Sequence, residues 1–244
     1  MLILAGLGIS DEKGLTLEEL EEVRNADYVF LELYTSIWNG NVKNLEKIIE
    51  KKIHILRRKD LEEDVNKIVD LAKNKKVVIF VPGDPLVATT HSSIILECMK
   101  NGIDYKILHN SSVFSAICET GLHIYKFGQA VTIPMKEKIS TLPLSVINTI
   151  LENKKRGLHT LCLLDLDIEN DKFLRVDEAV TFLLQNNLVE KGEKIVVVSS
   201  LGTKNRKIVW KEAKDILSLN FDLPAVIVIP GKLHFSEKDM LEKL

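Results

Sequence analysis

Five consecutive strand formers, Val77-Val78-Ile79-Phe80-Val81, run straight into Pro82-Gly83-Asp84-Pro85, and few other stretches leave the backbone so little choice. A β-branched and aromatic run without polar alternation is the pattern of a strand covered on both faces of a parallel sheet. Asn74-Lys75-Lys76 bounds it upstream. Downstream, Gly83 accepts positive φ and the two prolines cannot extend a ladder, so the chain must turn. A helix is predicted from about His91 to Lys100, capped by Thr89 or Thr90 and stopped at Asn101-Gly102. Strand, sharp loop, helix is the unit of open α/β sheets, whose ligands bind at the carboxyl ends of strands. Taken alone, the loop reads equally as a ligand seat or as a solvated turn in which Asp84 satisfies turn amides.

The same unit repeats on either side. Strands are expected at Leu2–Leu7, Asp27–Leu31, Ile53–Leu56 and Tyr105–Leu108, and helices at about Leu15–Asn25, Val42–Glu50 and Leu61–Lys73. Strict β-α alternation implies a parallel sheet of five strands, covered on both faces, over residues 1–110. Residues 111–128 read as a connecting helix and linker, ending in the aromatic, glycine-bracketed run Gly121 to Gly128. Residues 129–244 have another rhythm: strands at Val131–Ile133, His159–Leu164, Ile195–Ser199, Ile208–Trp210 and Ala225–Ile229, with helices near Ser145–Lys155, Asp177–Val189 and Ala213–Leu219. Two adjacent strands without a helix between them imply a mixed sheet. The fold class is therefore α/β, with two α/β domains.

Composition removes several function classes. A net charge of −2 with interspersed lysines and glutamates gives no electrostatic reason to expect a nucleic-acid or membrane partner. The three cysteines, Cys98, Cys118 and Cys162, are widely spaced and odd in number, which argues against a disulfide framework and for a reducing compartment. No close histidine pair has metal-ligand spacing, so no metal is expected. Strand formers begin at Leu2 and no apolar run is long enough to span a bilayer, so a cytoplasmic, soluble protein is expected.

Gly6-Leu7-Gly8 invites a dinucleotide-binding reading, but the third glycine of that fingerprint would fall on Asp11, which disfavours a nicotinamide-dependent dehydrogenase. No phosphate-loop or nucleophile-elbow pattern occurs. Ser111 and Ser112 after the fifth strand look like a helix cap. Beside the Gly8 and Asp84 loops they form a third strand-end segment that could face the same crevice. His91 and His234 stand at loop or helix starts, where structural hydrogen bonding and substrate contact are both open.

Pro82-Gly83-Asp84-Pro85-Leu86-Val87-Ala88-Thr89-Thr90-His91, the run Gly121–Gly128, Gly157-Leu158-His159-Thr160-Leu161 and Pro230-Gly231-Lys232-Leu233-His234 together resemble the diphthine synthase family, as does Asp27–Ser36. The first motif is specific within the wider tetrapyrrole-methylase superfamily. The resemblance spans nearly the whole chain, in order. It implies a tetrapyrrole-methylase-like fold with the cofactor in the cleft between the two domains, S-adenosylmethionine as that cofactor and S-adenosylhomocysteine as its product. It also implies repeated N-methylation of the 3-amino-3-carboxypropyl-histidine of translation elongation factor 2 to diphthine, on the diphthamide route, by an enzyme that is commonly a homodimer. Matched position by position, cofactor contacts fall on Ile9, Asp84, Val87, Ser112 and Val113, and in the second domain on Leu163, Leu201 and Val226. Where the family often has Ala-Arg-x-Gly-Ser, this chain has Ser199-Ser200-Leu201-Gly202-Thr203.

No catalytic side chain is assigned, because alignment and water exclusion alone can lower such a barrier by up to roughly 7–11 kcal/mol. Tyr34 or Tyr125 could line the space for the growing ammonium through cation–π contact. A tetrapyrrole C-methyltransferase of the same fold and a non-catalytic module that binds the elongation factor are the alternatives.

Overall fold

The computed structural model describes residues 1–137 and 141–244, and the chain divides into two units, Met1–Phe114 and Ser115–Leu244. In the first unit the apolar runs become β1 (Leu2–Gly6), β2 (Tyr28–Glu32), β3 (His54–Leu56), β4 (Val77–Val81) and β5 (Tyr105–Leu108). They form one sheet in the order β3-β2-β4-β1-β5, every neighbouring pair parallel. Strand alternation sorts the side chains into two layers. Leu2, Leu4, Val77, Ile79 and Val81 pack with residues of α3 (Arg58–Glu62), α4 (Val65–Ala72) and α5 (Ser92–Lys100). Ile3, Ala5, Val78 and Phe80 pack with residues of α1 (Leu17–Arg24) and α2 (Val42–Ile49). Every residue of β1 and β4 is buried, so each large apolar side chain there contributes about 1.5–3 kcal/mol.

The second unit carries β6 (Val131–Ile133), β7 (Thr160–Leu164), β10 (Lys194–Ser199), β11 (Lys207–Glu212) and β12 (Ala225–Ile229), with the short hairpin β8 (Leu166–Asp167) and β9 (Lys172–Phe173) apart from them. The sheet order is β11-β10-β12-β7-β6, parallel only between β6 and β7, and thus mixed. Its helices are α6 (Val113–Ala116, which crosses the division between the units), α7 (Leu144–Lys155), α8 (Val176–Gln185), α9 (Ala213–Ile216) and α10 (Phe235–Leu241). One face of the sheet (Cys162, Ile195, Val197, Ala225, Ile227 and Ile229) joins a core with Val180 and Leu183 of α8 and Ile216 of α9.

Several expected elements differ in detail. The helix expected over Leu61–Lys73 is two helices, because Asp64, at φ −105° and ψ 18°, leaves helical geometry and Asp60 takes the Arg57 amide to start the first one early. Neither Thr89 nor Thr90 caps α5 with its side chain; the cap position is His91, and the Thr89 hydroxyl donates to Pro85 O at 2.6 Å. The helix expected to Val189 stops at Gln185, with Asn187 in a left-handed conformation. The hairpin β8–β9 and α10 were not expected. In α10 the anchor is polar. Buried Glu237 accepts from the His123 and His234 amides at 2.8 and 2.7 Å, from the His159 imidazole at 3.0 Å and from the Lys126 ammonium.

Candidate functional site

In a parallel sheet all carboxyl ends of strands lie on one edge, so the loops leaving β4, β1 and β5 are neighbours by register. They are also bonded to one another. Gly8 N–H donates to Gly83 O at 3.1 Å and Gly83 N–H returns the bond to Gly8 O at 2.9 Å. Gly8 holds φ +67°, a conformation a side chain disfavours. At Gly6 a Cβ would stand 2.5 Å from Gly83 O and 2.8 Å from the Asn110 Cβ, so the close approach of β1 to both neighbouring loops requires glycine.

Asn110 completes the join. Its Nδ2 donates to Gly6 O at 2.8 Å and Gly14 O at 3.0 Å, while its Oδ1 accepts the Ser111 amide at 2.8 Å. The Ser111 hydroxyl accepts from Ile9 N–H at 3.3 Å. Asp84, buried, spends both carboxylate oxygens on the loops: Oδ1 accepts Leu86 N–H at 3.0 Å, and Oδ2 accepts His109 Nδ1 at 2.8 Å and Asn110 N–H at 3.3 Å. Asp84 is thus a staple between two loops and satisfies a turn amide, one of the two roles open to it from sequence. The fixed loops leave Ile9, Val87 and Val113 half-buried and Ser112 buried, the Ser112 hydroxyl accepting Phe114 N–H at 3.2 Å. All five candidate residues of the first unit therefore sit on these three bonded loops. Asn110, which holds them together, was not singled out in the sequence; its Nδ2 bonds to Gly6 and Gly14 span 104 and 96 positions, beyond any local pattern.

A buried polar cluster lies directly under the Asp84 loop. His91, at the end of that loop, points Nδ1 at Pro85 O, 3.2 Å away, so this nitrogen carries the proton, and its Nε2 faces the Tyr34 hydroxyl at 3.4 Å and Glu32 Oε1 at 4.0 Å. Burial holds the His91 imidazole below its ordinary pKa, against the Pro85 hydrogen bond, so the ring is neutral. Burial likewise pushes the Glu32 carboxyl up to about 7, although the Thr35 hydroxyl and the amides of Thr35 and Tyr34 bond to it. Tyr34 offers no open aromatic face to an ammonium. It is buried, edge-on to His91, with the Arg58 guanidinium 5.5 Å from its ring centroid. Tyr125, in the second unit, is 95% exposed.

In the second unit Val226 of β12 pairs with Leu163 of β7 and with Val198 of β10, which puts those side chains on the sheet face opposite the helix-packed core. Leu201 is buried just beyond β10, so the three candidates there share one sheet edge. His234 is the N-cap of α10, its Nδ1 2.8 Å from the Ser236 hydroxyl, a structural position.

A model of the family described as Tetrapyrrole (Corrin/Porphyrin) Methylases matches residues 1–216. A diphthine synthase of Methanocaldococcus jannaschii is 41% identical over 254 residues, covering 100% of this chain and 98% of that protein. One from Methanococcus aeolicus is 39% identical over 252 residues at the same coverage. A crystal structure of diphthine synthase superposes with a TM-score of 0.90 at 33% identity, covering 99% of this chain and 94% of the other. Identity of that order along the full length, on the same two α/β units, makes this chain a member of the diphthine synthase family of tetrapyrrole methylases, S-adenosylmethionine-dependent methyltransferases of diphthamide biosynthesis.

Proposed function

We propose that the three bonded loops of the first unit, with Ile9, Asp84, Val87, Ser112 and Val113, seat S-adenosylmethionine, and that the acceptor is the 3-amino-3-carboxypropyl-histidine of translation elongation factor 2, methylated repeatedly to diphthine. The observation that carries the reading is the reciprocal Gly8–Gly83 bond with Asp84 and Asn110 joining the β4 and β5 loops. It builds a rigid rim of backbone groups and half-buried apolar side chains, a surface suited to a nucleoside with a charged tail. Gly6 supports the fit: a side chain there would block the approach of the loops that form the rim. Leu163, Leu201 and Val226 are proposed as further contacts on the strength of the family match.

The bound donor supplies an electrophilic methyl on a sulfonium. In each transfer an N–C bond would form as the S–C bond breaks, with the electron pair left on sulfur; the first two transfers would release an amine proton to solvent, and the last, onto a tertiary amine, would release none. The chain's task is to hold the donor rigidly, orient the amine and exclude water. Asp84 and Asn110 do this by fixing the loops, so no side-chain base is assigned. The enzyme is taken to work in the cytoplasm as a homodimer, with no nucleic-acid or membrane partner. The test is mass spectrometry of precursor-bearing elongation factor after incubation with the protein and isotopically labelled S-adenosylmethionine, with a corrin precursor in a parallel tube. Stepwise label on the histidine peptide is expected. Label on the corrin alone, or factor binding without label, overturns the reading.

A further inference from the structure

We infer that His91 is a positioning residue for the methyl-donor loop, acting through the carbonyl of Pro85; this rests on the seat proposed above. The loop from Asp84 to His91 carries two proposed donor contacts, Asp84 and Val87, and contains an alanine in a conformation that L residues disfavour, Ala88 at φ +57°. Something must hold it there. Two donors converge on one acceptor, the Thr89 hydroxyl at 2.6 Å and His91 Nδ1 at 3.2 Å from Pro85 O, and they close the loop from its far end. The near end is closed by the Asp84 carboxylate on Leu86 N–H and by Val87 N–H on Asp84 O at 3.2 Å. His91 is fixed in turn. It is almost wholly buried, and its other nitrogen meets the hydroxyl of Tyr34. Tyr34 follows Glu32, whose carboxylate accepts the Tyr34 and Thr35 amides at the exit of β2. The ring therefore links the β2 exit to the β4 loop without itself reaching a reacting atom.

A positioning role of this kind predicts a particular pattern of variants. In His91→Asn the amide nitrogen can stand where Nδ1 stood and keep the bond to Pro85 O, whereas in His91→Phe the ring remains and the donor is lost. Tyr34→Phe removes the hydroxyl that faces Nε2 and leaves the Nδ1 bond to Pro85 O in place. S-adenosylhomocysteine binding by calorimetry, with KM and kcat for the donor, is measured on all three. His91→Phe is expected to raise Kd and KM about tenfold at near-constant kcat, the equivalent of roughly one lost hydrogen bond. His91→Asn and Tyr34→Phe are expected to stay within about threefold of the parent. Should His91→Phe not fold, the double variant Tyr34→Phe/His91→Phe, which leaves no hydroxyl facing an apolar ring, takes its place. Parent-like binding by a folded phenylalanine variant, or equal losses in the Asn and Phe variants, overturns the inference while the donor seat stands. Absence of S-adenosylhomocysteine uptake by the parent overturns both.

Discussion

Glu32 illustrates how one buried side chain sets a pH dependence. With its folded pKa raised to about 7 against an ordinary 4.5, the folded state keeps a proton that the unfolded chain releases between those values. Folding stability therefore falls as pH rises through that window, and the penalty, at most about 3 kcal/mol, is complete above pH 7. Glu32→Gln is expected to flatten that decline in urea titrations between pH 4.5 and 7, and equal slopes in the two proteins would refute the assignment. Gly6 is governed by space instead. Because an added Cβ meets the Gly83 backbone oxygen at 2.5 Å, Gly6→Ala is expected to destabilise by about 1–3 kcal/mol and to abolish calorimetric donor uptake, since the rim cannot close. A Gly6→Ala protein that binds the donor like the parent would separate the loop junction from the seat. Sequence made the glycine pattern visible at these positions. It did not show Asn110, because three of its bonds end at Gly6, Gly14 and Ser111 and only the folded sheet brings the first two near.

At the scale of elements, legibility followed apolar content. β1, β4, β10 and β12 are nearly unbroken runs of buried apolar residues, so their positions could be read directly. Helix α10 escaped because its sequence, Phe-Ser-Glu-Lys-Asp-Met-Leu, buries only Glu237 and Leu241, while Phe235 is 73% exposed. What fixes it is electrostatic. Burial pushes the Glu237 carboxyl up, but the Lys126 ammonium, the His123 and His234 amides and the His159 imidazole outweigh burial and hold the pKa at about 2. His159 Nδ1 accepts Gly231 N–H at 2.8 Å, so its proton sits on Nε2 and points at Glu237. A depressed carboxyl contributes stability that is present above pH 4.5 and lost as pH falls from there toward 2. Glu237→Gln is expected to lose about 3 kcal/mol at neutral pH, with hydrogen exchange fastest in residues 235–241, and to show a shallower acid transition than the parent. Unchanged exchange in that helix would mean that Leu241 and the neighbouring apolar contacts hold it instead.

For the whole molecule, ligand binding and stability are linked by mass action. The loops that would seat the donor leave β4, β1 and β5, three neighbouring strands of the first unit's sheet, of which β4 and β1 are buried along their whole length. Because the seat exists only when that sheet is intact, the donor binds the folded state alone and must stabilise it by RT ln(1 + [L]/Kd), about 2.7 kcal/mol at one hundred times Kd. In a chain of 244 residues this corresponds to a rise in melting temperature of about 2–4 °C for each kcal/mol. S-adenosylhomocysteine is therefore expected to shift the melting curve by several degrees, with the increment growing logarithmically with concentration, and Gly6→Ala should abolish the shift while a surface variant such as Lys100→Ala retains it. A melting temperature indifferent to the ligand in the parent, measured at concentrations that saturate turnover, would mean that the rim of loops is not where the methyl donor binds.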